Sequence, residues 1–213
     1  MTRPRTPAGR ARETDRRLGD EYPDAHCELD HRNPFELLTA TILSAQTTDV
    51  RVNLVTPGLF ARFPTAPDLA AADPAEVEEL IHSTGFYKNK TRSILGMAQA
   101  LVERFDGEVP SSMADLTSLP GVGRKTANVV RSVALGRPGL PVDTHVGRLS
   151  RLLGLTTETD AVKVELVLNP MIPAAERGRF SLLLILHGRR VCVANRPRCD
   201  DCVLNDFCPS SRV

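Results

Sequence analysis

The sequence predicts an all-α protein. Three observations carry that prediction. Apolar residues recur at helical spacing along most of the chain. A cap residue followed by proline, a helix-start signal, occurs at Asn33-Pro34 and again at Asp73-Pro74. No segment shows the apolar–polar alternation of a β-strand.

The elements follow in order. After Asn33-Pro34, residues Phe35, Leu38, Ile42 and Ala45 form one apolar face. After Asp73-Pro74, Glu76 completes a capping box, and Val77, Leu80 and Ile81 form the buried face. The clearest stripe is Ile94, Leu95, Ala98, Leu101, Val102 and Phe105, a helix over about 91–105 closed by Asp106-Gly107. A short helix near 113–118 leads into Leu119-Pro120-Gly121-Val122-Gly123, and residues 124–135 are helical again. Helices over 146–153 and 160–168 end at Gly154 and Asn169-Pro170. Residues 180–187 are apolar nearly all round and therefore buried. The expected total is about ten short helices, with a crossover between two lobes at Pro138 to Pro141. The first ten or so residues read as a disordered tail.

Composition narrows the function classes. The 213 residues are 41% hydrophobic and 25% charged, enough to bury a core and too apolar for a disordered tail. No run approaches the ~18 apolar residues of a membrane span, so no membrane partner is expected. The N-terminus has charges without an apolar centre, unlike a secretory signal. Net charge is only +1, but six Arg lie in residues 1–18 and seven in residues 177–213, so basic residues gather at the chain ends.

The run Leu119 to Val130 joins two helices through a Gly-Val-Gly turn. A phosphate-binding loop of the Walker type would need Gly before the Lys, where Arg124 stands. A dinucleotide-binding turn would need a preceding strand. A helix-hairpin-helix remains, in which amides of Gly121, Val122, Gly123 and Arg124 face a nucleic-acid phosphate at a helix N-terminus. Lys125, in the first turn, is either a phosphate contact or an amine nucleophile, and the helix N-terminus and Arg124 both disfavour its ammonium form. Asp143 reads as an N-cap and as the candidate acidic partner. His145 reads as packed against its own helix.

Four of the five cysteines, Cys192, Cys199, Cys202 and Cys208, fall within 17 residues. Such crowding speaks for metal ligation in a reducing compartment rather than for disulfides. One C-x-x-C flanked by two outlying Cys differs from a zinc ribbon and suits a [4Fe–4S] cluster, with structural zinc as the alternative. Arg196 and Arg198, between the first two ligands, would be offered to phosphates by a loop held in shape. Cys27 reads as a buried small hydrophobe.

Together these motifs, with Val142-Asp143-Thr144-His145 and Ile185-Leu186-His187-Gly188-Arg189, resemble the endonuclease III family of DNA glycosylases over about residues 33–208. The resemblance implies a six-helix barrel with the hairpin at residues 27–137. A helical domain built from residues 1–26 plus 138–213 would carry one [4Fe–4S] cluster, with the active site in the cleft between the two. It implies base excision repair of oxidised pyrimidines in duplex DNA by a monomer with glycosylase and abasic-site lyase activity. Lys125 would be the nucleophile and Asp143 its acidic partner. Gln46 would fill the hole left by the flipped base, and Phe86, where the family usually has Leu, would wedge the opposite strand. Thr117 stands where the family often has an acidic residue. The expected setting is the bacterial cytoplasm, in association with the nucleoid. Two alternatives are a monofunctional mismatch glycosylase, against which Lys125 speaks, and a non-catalytic cluster-bearing DNA-binding module.

Overall fold

The computed structural model describes residues 4–213, and all regular elements among them are helical. Eleven α-helices and three short 3-10 segments are described, against the ten or so expected. The chain divides into two compact units, residues 27–137 and residues 1–26 with 138–213. Each unit has its own apolar core.

The contiguous unit holds α2 (Pro34–Leu43), α3 (Asp49–Arg62), α4 (Ala66–Ala70), α5 (Pro74–Ile81), α6 (Tyr87–Phe105), α7 (Met113–Thr117) and α8 (Arg124–Val133). Every residue of α2 from Phe35 to Leu43 is buried, so this helix runs through the centre. Asn33 caps it, its side chain accepting from the Glu36 amide at 2.9 Å. Helix α6 lays Ile94, Met97, Ala98 and Leu101 into the same core. Helix α3 is additional to the helices expected and holds Pro57 inside it. The helix continues through Pro57 with Val52, Thr56, Leu59 and Phe60 buried. Tertiary burial there outweighs the lost backbone hydrogen bond.

The second unit holds α1 (Pro7–Glu21), α9 (Thr144–Leu152), α10 (Ala161–Leu168) and α11 (Arg177–Arg190). Its centre is α11, where Phe180, Leu183, Leu184 and His187 are buried. The expectation of a disordered tail over the first ten residues is corrected from residue 6 onward; residues 1–3 lie outside the described residues. Thr6 caps α1, its hydroxyl accepting from the Gly9 amide at 3.1 Å, and Pro7 occupies the first turn. Ala11, Thr14 and Leu18 of α1 are fully buried. Arg10 donates to the Leu153 and Gly154 carbonyls at 2.7 and 2.5 Å, closing the C-terminal end of α9. Charge obscured this apolar stripe: five Arg fall between residues 5 and 17.

Candidate active site and thiol cluster

Leu116, Leu119 and Val122 bury their side chains and fasten the hairpin between α7 and α8 to the core. The turn rests on α6. Gly121 has φ +75°, and a Cβ there would lie 2.7 Å from that of Ser93. Only glycine fits both the conformation and the space. Of the amides expected to face an anion, those of Gly121 and Gly123 make no hydrogen bond among the described residues. That of Val122 instead donates to the Leu119 carbonyl at 3.1 Å. Gly123 caps α8 without a side chain, which leaves the helix N-terminus open.

Lys125 stands at the second position of α8 and is exposed. Its positive charge reaches Cys27 and slightly favours that thiolate, although burial dominates and pushes the thiol up. Cys27 is half-buried and packs against the apolar core of its unit.

Asp143 caps α9. Its Oδ1 accepts from the Val146 amide at 2.8 Å, and Oδ2 makes no hydrogen bond among the described residues. The cap therefore fixes the carboxylate's direction and leaves one oxygen able to take a proton. His145 packs onto α11 rather than only against its own helix: a Cβ on Gly188 would lie 2.7 Å from its Nδ1.

Gln46 and Phe86 share an unusual conformation. Gln46 has φ +54° and Phe86 φ +48°, the left-handed region that non-glycine residues avoid. Both are exposed, Phe86 to 66%. Gln46 does not cap α2, whose C-cap is Ser44. Such backbone persists where surrounding structure enforces it, and it gathers at functional sites.

The four clustered thiols, Cys192, Cys199, Cys202 and Cys208, line one cavity of about 170 Å³ with Arg148, Pro197 and Arg198. Among the described residues no three His, Cys, Asp or Glu side chains close around a point as a single ion requires. Burial, reinforced by the other three thiols, pushes Cys202 up to about 11. Burial likewise raises Cys208. Arg198 is occupied internally: it donates to the Arg190 carbonyl and lies 3.8 Å from Asp201. Arg196 is exposed.

A family model described as "HhH-GPD superfamily base excision DNA repair protein" matches residues 39–173. The chain belongs to this family. Within the HhH-GPD superfamily its relatives are endonuclease III proteins, and it is a member of that family. It is 54% identical over 193 residues to endonuclease III of Synechocystis sp., covering 90% of this chain and 88% of that one. Among solved structures it is similar to one described as a non-covalent endonuclease III–DNA complex, with TM-score 0.89, 44% identity and 95% of both chains covered. It is equally similar to a trapped endonuclease III–DNA covalent intermediate, again with TM-score 0.89 and 44% identity, covering 95% of this chain and 96% of that one.

The sequence motifs assign no role to Lys90 or Arg148, and His187 enters them only as part of Ile185-Leu186-His187-Gly188-Arg189. Lys90 is buried in the first turns of α6. His187 places Nε2 3.3 Å from the Cys202 sulfur. Arg148 places Nη1 3.7 Å from the Cys192 sulfur. A basic residue inside an apolar stripe, as at position 90, was the one available signal.

Proposed function

We propose that the protein excises oxidised pyrimidines from duplex DNA and then cuts the strand at the abasic site it has made. It acts as a monomer on the bacterial nucleoid. The observation that carries this reading is the exposed Lys125 in the first turn of α8, on a hairpin whose Gly121 and Gly123 amides have no internal acceptor.

The hairpin amides and the open end of α8 hold a backbone phosphate, which sets the register of the strand without reading its sequence. Gln46 and Phe86 enter the stack while the damaged nucleotide turns outward. The neutral Lys125 amine attacks C1′ of the deoxyribose, and the C1′–N bond to the base breaks with its electron pair. Asp143 takes the amine proton and stabilises the cationic sugar through its uncommitted oxygen. The nitrogen lone pair then displaces O4′, which takes a proton as the ring opens, and a protonated Schiff base forms between Nζ and C1′. Removal of a C2′ proton then expels the 3′ phosphate by β-elimination. Phe86, being aromatic, adds stacking to the wedge, so Phe86→Leu changes the range of lesions accepted.

The residues of the thiol cavity fit one [4Fe–4S] cluster: four cysteines line one space, and burial with the neighbouring thiols disfavours Cys202 and Cys208 as free thiolates. Cys192, Cys199, Cys202 and Cys208 would hold it. When bound it supplies a four-point tie that shapes residues 192–208, and it takes no part in the bond changes above. Arg196 is then the phosphate contact of that loop.

Borohydride trapping on a duplex holding one abasic site tests the reading. A covalent adduct that disappears in Lys125→Gln supports it. An adduct independent of Lys125, or none at all, refutes it in favour of a non-catalytic DNA-binding module. A panel of duplexes, each with one oxidised base, sets the substrate range. Iron and sulfide assays should find four of each per chain, and zinc in their place would refute the cluster.

A further inference from the structure

Lys90 is 5% exposed, a buried cation that the chemistry above does not use. Its ammonium donates to the Thr84 carbonyl at 2.8 Å and to the Thr47 hydroxyl at 2.6 Å. The Thr47 hydroxyl in turn donates to the same Thr84 carbonyl. Thr47 follows Gln46, and Thr84 stands two residues before Phe86. The Lys90 amide itself donates to the Phe86 carbonyl at 3.1 Å. One residue is therefore bonded to the Phe86 loop through backbone and side chain, and to the Gln46 loop through its ammonium.

Burying an ammonium is costly, and burial here lowers the affinity of Lys90 for its proton. A leucine or methionine would fill the same space without that cost. What the apolar residue could not do is join two oxygens on two different loops. Both loops carry a residue in left-handed backbone, which neighbouring structure must enforce.

We propose that Lys90 is a positioning residue that clips the Gln46 loop to the Phe86 loop, so that the hole-filling side chain and the wedge enter the duplex as one preorganised unit. Without the clip, each loop has to be ordered separately on DNA, and that ordering subtracts from the free energy available to extrude the base. The inference rests on the proposed duplex-entering roles of Gln46 and Phe86. It adds a residue that touches neither DNA nor the reacting atoms.

The test compares wild type, Lys90→Met, Thr47→Val and the double variant on two duplexes. One carries an oxidised pyrimidine beside 2-aminopurine, whose fluorescence reports unstacking. The other already carries an abasic site, where no base has to leave the stack. Lys90→Met is expected to lower single-turnover excision and the fluorescence change by about 10- to 100-fold, the loss of a hydrogen bond to a charged group. Trapping at the abasic site should fall far less, with unchanged circular dichroism. The double variant should be no worse than the more affected single variant, because both substitutions remove one bridge. Equal losses on the two duplexes would mark general structural damage and overturn the proposal. Unchanged excision, or additive losses in the double variant, would overturn it too. Should Lys90→Met fail to fold, Thr47→Val carries the same expectation and the same refutations. Wild-type protein that neither excises nor traps would overturn the activity itself, and the clip with it.

Discussion

The Tyr22 hydroxyl and the His187 Nδ1, 165 positions apart in the chain, meet at 3.1 Å beside the thiol cavity. Burial pushes the Tyr22 hydroxyl up, so it keeps its proton. The other ring nitrogen, Nε2, faces the Cys202 sulfur at 3.3 Å. The same pairing has a measurable consequence in acid. Burial lowers the pKa of His187 from 6.5 to about 4. The unfolded chain therefore binds a proton that the folded one refuses between those values, and stability falls as pH drops from 6.5 to 4. The loss from this one group approaches about 3 kcal/mol. Melting temperatures across that window should fall less steeply in His187→Gln than in wild type.

Asp143→Asn separates the two uses of one side chain. Asparagine is as good an N-cap as aspartate, so the α9 cap survives and stability should change by less than about 0.5 kcal/mol. The amide cannot take a proton, so glycosylase turnover should fall by about 10²- to 10⁴-fold. Denaturant melts beside single-turnover kinetics check both halves. A variant equally impaired in both would make the cap the residue's whole role.

Gly188→Ala should destabilise the unit built around α11. The new methyl would lie 2.7 Å from the His145 Nδ1 and 3.1 Å from the His145 Cβ, so the imidazole or the helix would have to shift. Overpacking of this kind costs about 1–3 kcal/mol. A shift in the urea midpoint at constant slope measures it.

Legibility differed from feature to feature, for physical reasons. Asn33, Asp73 and Asp143 announce their helices because a cap is a local device, complete within four residues. The thiol quartet is legible because ligand spacing is linear in sequence, although nothing in that spacing points to His187 or Arg148. Helix α3 is hidden by Pro57-Gly58, and α1 by arginines whose partners lie far along the chain. The Gln46 loop has no glycine to hint at its positive φ, whereas Gly85 stands beside Phe86, and the bond from Lys90 to Thr47 spans 43 residues that no local pattern links. Arg198 looks free in sequence, yet it is engaged by Arg190 and Asp201.

The arginines of α1 should prove structural rather than DNA-binding. Arg17 bonds Glu13, the Val203 carbonyl and both carboxylate oxygens of Asp206, and its guanidinium lies 5.1 Å from the Phe207 ring centre. Arg17→Ala is expected to lower stability by about 1–3 kcal/mol. The slope of log affinity for DNA against log salt should stay the same, because no phosphate contact is lost. A shallower slope would show instead that Arg17 contacts the duplex.

Phe86→Asn should trade activity for stability. Asparagine tolerates the left-handed region, and a side chain 66% exposed gives up little packing. Relief of the strain should raise stability by about 0.5–1 kcal/mol. Excision should decline, because the amide stacks poorly on bases. Thermal melts and excision rates moving in the same direction would contradict this.

The unit of residues 27–137 is one uninterrupted stretch, whereas its companion needs both ends of the chain. During synthesis α1 leaves the ribosome first, and α11, against which it packs, among the last helices. The nascent chain can complete this central half while Ala11 and Leu18 still await a cover. Vectorial translation thus finishes the surface that presents the hairpin before the cysteine-bearing half can close, and maturation of the enzyme ends with its two termini finding each other.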